Sequence, residues 1–201
     1  KEIILEPLDG FGVYDENKTY RDKLENVPAE YHSVGAEASF KSEDGQELKI
    51  GNLHFKIIFI PGHTLGHIAF YFEKEKVIFT GDTLFSLGCG KVFEGTYKQM
   101  FDSLNKIKSL PGDTEIYCGH EYTKSNLGFC LKFNPNNNYL KNKKKDIEEK
   151  IREKKPTIPS TVIDEIQTNI FLRYDDPDVK NVLNLKNASD LEIFTKLRDL
   201  K

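Results

Sequence analysis

Phe79-Thr80-Gly81-Asp82-Thr83-Leu84-Phe85 is an apolar run broken by a single carboxylate. The β-branched and aromatic content of Lys76 to Thr80 predicts a buried strand, which Gly81 ends. Asp82 then stands at the C-terminal edge of that strand, where a side chain projects from a rigid sheet into a crevice. By itself a Gly-Asp-Thr turn is ordinarily an Asp bonding its own backbone. Two other stretches argue for more. Pro61-Gly62-His63-Thr64-Leu65-Gly66-His67 follows a predicted strand from Leu53 to Ile60, and Tyr117-Cys118-Gly119-His120-Glu121-Tyr122 follows one from Glu115 to Cys118. Three strand ends therefore each offer one potential metal ligand: His63, Asp82 and His120. That recurrence is the functional signal.

The 201 residues suffice for one substantial core with or without a small appendage, and 38% hydrophobic content fits a folded protein. A formal net charge of −3 gives no reason to expect nucleic acid or an anionic membrane as partner. No apolar run approaches the ~20 residues that span a bilayer, so a soluble protein is expected. Cys89, Cys118 and Cys130 are odd in number and lack Cys-x-x-Cys spacing, the pattern of reduced intracellular thiols. Lys1 is not a Met, so an earlier start and a targeting segment there stay open.

Lys1 to about Gly35 is weakly patterned and reads as an irregular or partly helical approach, with His32 a surface residue. From Ala36 the period becomes two. Ser39-Phe40-Lys41 and Gln46 to Ile50 flank the turn Glu43-Asp44-Gly45, and Gly51-Asn52 turns into Leu53 to Ile60 with His54 on its polar face. Ile68 to Phe72 and Lys76 to Thr80 form a hairpin around Glu73-Lys74-Glu75. Thr96-Tyr97-Lys98-Gln99 is a capping box opening a helix with Met100, Phe101, Leu104, Ile107 and Leu110 inward, stopped by Pro111-Gly112-Asp113. Strands followed by helices in this order predict a layered α/β unit.

Beyond about Thr123 strand signals nearly vanish. Asn126 to Phe133 reads as helix, and Tyr139 to Lys155 as a charge-dense helix whose face is laced with ion pairs rather than a basic partner surface. Pro156 to Thr161 is a rigid loop, after which Thr161 and Asp164 can cap a short helix. Ser189-Asp190-Leu191-Glu192 opens a last helix with Ile193, Phe194, Leu197 and Leu200 inward. The expected division is an α/β domain over 1–123 and a helical domain over 124–201.

Imidazole, carboxylate and imidazole suit a zinc or iron hydrolytic centre, and the two oxygens of Asp82 could serve two metals. Two cations ~3.5–4 Å apart can hold a hydroxide and polarise a carbonyl together. Pro61-Gly62 and Gly66 argue against a regular helix that would align His63 with His67. His63 is therefore the preferred ligand and His67 a supporting contact.

These residues resemble the glyoxalase II, or hydroxyacylglutathione hydrolase, family of the metallo-β-lactamase superfamily. The likeness rests on Pro61 to His67, on Gly81 to Phe85 with Gly88-Cys89-Gly90-Lys91-Val92-Phe93-Glu94-Gly95-Thr96, and on Cys118 to Thr123. It continues through Pro156 to Thr161, Asn169-Ile170-Phe171-Leu172-Arg173 and Leu197 to Lys201, covering nearly everything from residue 46 onward. The resemblance implies an αββα sandwich, here without its N-terminal part, followed by an all-helical domain. It implies two divalent metals, zinc before iron or manganese, with His63 and His120 each completing one and Asp82 bridging them as the catalytic carboxylate. Lys91, Tyr122, Arg198 and Lys201 match positions that hold the glutathione portion of the substrate, and Phe93 stands where some relatives carry Tyr. On a helix Arg198 and Lys201 share one face and can clamp a carboxylate. Cys89 and Cys118 are expected to pack rather than react.

The implied reaction is hydrolysis of S-(2-hydroxyacyl)glutathione, such as lactoylglutathione, by a metal-bound hydroxide. The expected partner is that thioester, with no nucleic acid or membrane, for a cytoplasmic monomer with an organellar location left open. One departure is large: the family's His-x-His-x-Asp-His motif is absent, since the five histidines are His32, His54, His63, His67 and His120. Its expected place is upstream of Lys1, so the 201-residue chain alone is expected to hold metal weakly. Two alternatives are an iron-dependent glutathione persulfide dioxygenase of the same superfamily and a metal-free binding homologue.

Overall fold

The structure is a computed structural model that describes residues 43–201. The approach segment to Gly35, His32 and the strand at Ser39-Phe40-Lys41 lie outside the described residues. Alternating and apolar runs form the strands β1 (Glu47–Ile50), β2 (Leu53–Phe59), β3 (Ile68–Phe72) and β4 (Val77–Gly81), an antiparallel series. A buried hairpin of β5 (Leu84–Phe85) and β6 (Gly88–Cys89) follows, then helix α1 (Tyr97–Lys108) and β7 (Glu115–Cys118). β7 lies parallel to β4, with Ile78 opposite Ile116, as a strand returning through a helical crossover must.

The remaining elements are α2 (Thr123–Phe133), α3 (Asn138–Arg152), the two-residue strand β8 (Ser160–Thr161), α4 (Val162–Thr168), a 3-10 turn at Ile170–Leu172, α5 (Pro177–Val182) and α6 (Asp190–Leu200). The large sheet has the order β1-β2-β3-β4-β7-β8. Both capping boxes form: Thr96 accepts from the Gln99 amide, and Ser189 from the Glu192 amide. Thr161 caps α4 through the Asp164 amide.

Alternation sorts the sheet into two apolar faces. Ile60, Ala69, Tyr71, Ile78 and Ile116 pack with Met100, Leu104 and Ile107 of α1, in a core that also takes in Leu127, Phe171, Phe194 and Leu197. This largest core draws residues from both sides of residue 123. The other face carries a smaller cluster, Phe55, Ile57 and Ile68 with Phe59, Phe70 and Phe72.

Four local expectations change. Ser160 and Thr161 are strand rather than loop, because they pair with Ile116 and Glu115 across the sheet. α2 begins at Thr123, three residues before Asn126, and α1 stops at Lys108 with Ser109 as its cap. Leu200, expected inward, is 42% exposed at the last position of α6, while Arg198 turns inward. α3 does carry the ion-paired face, with Lys144–Glu148 and Asp146–Lys150 one turn apart.

α4 also buries a carboxylate. Glu165 is fully enclosed, and burial raises its pKa above the ordinary 4.5 despite hydrogen bonds that oppose the shift. The folded chain therefore holds this proton more tightly than the unfolded one. Stability is expected to fall as pH rises from about the ordinary carboxyl value through the folded one. Denaturant melts across that window should show this slope, and Glu165→Gln, which cannot ionise, should remove its share; an identical slope in the variant would refute the assignment.

Candidate metal centre

Parallel pairing of β4 with β7 sets Gly81 opposite Cys118, and the Gly119 amide donates to the Gly81 carbonyl at 2.9 Å. The residues leaving the two strands therefore stand side by side. Asp82 Oδ2 lies 3.3 Å from His120 Nε2 and 3.6 Å from His63 Nε2, so one carboxylate oxygen faces two imidazoles. The backbone crowds this carboxylate as only glycine permits. A Cβ on Gly119 would come within 2.4 Å of Asp82 Oδ1, and one on Gly90 within 1.9 Å of the Asp82 carbonyl oxygen.

His63 is held from behind. Its Nδ1 donates to the Lys91 carbonyl at 2.8 Å, which turns Nε2 toward Asp82. The segment after Gly90 zips onto the same loop: Phe93 and Glu94 amides donate to the His63 carbonyl, and Gly95 to that of Gly62. Glu94 Oε2 in turn accepts from the Leu65 amide. An imidazole lone pair and a carboxylate oxygen 3.6 Å apart repel one another unless a cation or proton lies between them. The donor set therefore fits a metal. Among the described residues no three such side chains gather around a single ion.

His67 is buried beside His63, and its Nε2 accepts the Asp82 amide at 3.1 Å. That nitrogen orients the Asp82 backbone and is thereby occupied. Tyr122 stacks on His120 at 5.0 Å and meets Phe85 edge-on at 5.3 Å, leaving half its surface open. Phe93 packs on His63 at 5.0 Å and is 69% exposed. The Lys91 side chain is exposed while its carbonyl works on His63.

Arg198 of α6 and Lys201, its C-cap, lie near Cys89 of the β5–β6 hairpin. The Arg198 guanidinium lies over Phe171 and donates to the Cys89 carbonyl at 3.1 Å. The Lys201 ammonium sits over Phe129, and partial burial together with the Arg198 charge holds its pKa below the ordinary lysine value. Among the described residues neither cation has a carboxylate in ion-pair range. Burial pushes the Cys89 thiol up to about 11 and Cys130 up to about 12, and raises Cys118 as well, so none is poised as a nucleophile.

Sequence reasoning missed the side chains under the β5–β6 hairpin, above all Glu165 and Asn169. The available signal was the glycine density of Gly88-Cys89-Gly90, which marks a backbone approached closely by something else.

Residues 5–120 match the family model described as the metallo-beta-lactamase superfamily, and residues 121–201 the one described as the hydroxyacylglutathione hydrolase C-terminus. The chain is 56% identical over 150 residues to a hydroxyacylglutathione hydrolase of Pelagibacter ubique, covering 75% of this chain and 57% of that protein. A protein of the same name from Chelativorans sp. is 49% identical over 158 residues, with coverage of 79% and 62%. One from Rhodopseudomonas palustris is 40% identical over 190 residues, with coverage of 94% and 74%. The chain thus spans about three fifths of the length of the first two and three quarters of the third. Matched along nearly its whole length by both parts of one architecture, it belongs to the hydroxyacylglutathione hydrolase family of the metallo-β-lactamase superfamily.

Proposed function

We propose that this chain supplies Asp82, His63 and His120 to a dinuclear hydrolase centre that cleaves S-(2-hydroxyacyl)glutathione to glutathione and a 2-hydroxy acid. The observation that carries the reading is the pair of imidazole Nε2 atoms facing one oxygen of Asp82. When bound, two divalent cations, zinc in preference to iron or manganese, acidify water and polarise the thioester carbonyl. The Lys91 carbonyl keeps His63 in the tautomer that offers Nε2, and the His67 ring holds Asp82 by its amide.

Substrate binding falls to Lys91, Tyr122, Arg198 and Lys201. Lys201 and the inward-turned Arg198 supply positive charge for the glutathione carboxylates, and the half-exposed Tyr122 offers its hydroxyl at the rim. Phe93 offers an apolar wall beside His63 without a hydroxyl. A thiolate is a good leaving group, so no strong general acid is required. We place the substrate-binding unit after residue 123, and assign the protein to the cytoplasm as a monomer. No helix among the described residues is long and apolar enough to cross a membrane.

The test is hydrolysis of S-lactoylglutathione by the complete natural protein, before and after chelation and after zinc is returned. Activity that disappears with the metal and returns with it is expected. Oxygen uptake on glutathione persulfide without thioester cleavage, or metal-independent binding alone, would replace the reading.

A further inference from the structure

The β5–β6 hairpin is a two-residue turn buried along its whole length, from Leu84 to Cys89. Turns ordinarily lie at the surface because buried peptide groups must find partners. Here the partners are side chains from the helical half. The Leu87 amide donates to Glu165 Oε2 at 2.8 Å, and Asn169 Nδ2 donates to the Gly88 carbonyl at 3.0 Å, to Glu165 Oε2 at 2.9 Å and more distantly to the Phe85 carbonyl. Asn126 takes the Ser86 carbonyl, Cys130 that of Leu87, and Arg198 that of Cys89. Leu87 sits at φ +61°, a region a leucine enters only when its surroundings hold it there. Asn169 is itself oriented by the Phe171 amide, which donates to its Oδ1.

The hairpin runs between Asp82 and the segment that holds His63. Phe85 lies against His120 and Tyr122, and the Cys89 carbonyl lies against Arg198. A shift of this turn therefore moves the two groups assigned to the glutathione moiety. Asp82 keeps independent anchors, in the pairing of β4 with β7 and in His67.

We propose that Glu165 and Asn169 are positioning residues for substrate binding, acting through the Leu84–Cys89 hairpin on Tyr122 and Arg198. The proposal rests on the thioesterase reading above. Glu165 acts as a hydrogen-bond acceptor rather than as a charge, so glutamine can take its place.

The experiment uses the complete natural protein loaded with zinc and compares Glu165→Gln, Glu165→Leu and Asn169→Ala. Steady-state kinetics on S-lactoylglutathione, calorimetric binding of glutathione and metal content are measured for each. Glu165→Leu and Asn169→Ala, which each leave buried polar groups of the hairpin or its support unpaired, are expected to raise KM about tenfold, with kcat within about threefold and metal content unchanged. Glu165→Gln is expected to keep the KM of the parent. Reduced thermal stability with an unaltered KM, or a KM raised as far by glutamine as by leucine, would overturn the proposal. If the truncating variants do not fold, Asn169→Ser is compared with Glu165→Gln as the control: a KM raised in the serine variant alone supports the proposal, and an equal KM in both overturns it. Should the parent neither cleave the thioester nor bind glutathione, the functional reading has failed, and hydrogen exchange judges the positioning by itself. Faster exchange at 84–89 that spreads to 120–122 in Asn169→Ala supports it; unchanged exchange at 120–122 overturns it.

Discussion

In the complete natural protein, Asp82→Asn is expected to strip tightly held metal and to lower kcat/KM by at least about 100-fold, since loss of a group that merely supports a ligand already costs ~10–100-fold. The amide matches the carboxylate in shape, so the change is chemical rather than steric. It removes the negative charge between His63 and His120 and puts N–H donors where an oxygen now faces two imidazoles. The backbone link from the Asp82 amide to His67 is retained, as is the pairing of β4 with β7. Metal content by plasma emission, thioesterase kinetics and far-UV circular dichroism together check the result. A folded variant that keeps stoichiometric metal and activity within tenfold of the parent would show that Asp82 does not bridge the centre.

The second large effect is on stability. Phe171 is wholly buried, stacked parallel to Phe129 at 5.7 Å, edge-on to Phe194 at 6.2 Å, and covered by the Arg198 guanidinium. Phe171→Ala is expected to cost about 3–5 kcal/mol, the transfer energy of the ring plus the cavity it leaves. For a chain of this size that lowers Tm by roughly 6–20 °C. Phe171→Leu, closer in volume, should cost less than about 1.5 kcal/mol. Chemical denaturation with a two-state fit measures both. A loss below 1 kcal/mol for alanine would mean that the neighbouring rings collapse into the space, contrary to the packing described.

Much of the fold is local and was legible as such. Thr96 with Gln99, and Ser189 with Glu192, announce their helices by spacing alone, and period-two runs mark β1 to β4. His63, Asp82 and His120 could be picked out because each follows a strand, a repetition that needs no knowledge of pairing. Their separation could not be read that way, because it depends on β7 lying parallel to β4. The missed features share that cause. Ser160 and Thr161 have no strand pattern of their own and become extended only against β7. Glu165 lies in a seven-residue helix with Asp164 beside it, and nothing local says which carboxylate faces the interior. Leu200 fits the apolar stripe of α6 by spacing, yet it is exposed, since spacing alone does not say which position of a last turn is covered.

The two residues of β8 have an influence out of proportion to their length. They occupy the outer hydrogen bonds of β7 at Glu115 and Ile116, so the strand leading to His120 offers that stretch of its flank to no other chain. The helical half thus acts as a stopper against edge-on growth of the sheet. A fragment ending before Ser160 would expose the peptide groups from which fibrils and strand-exchanged oligomers begin.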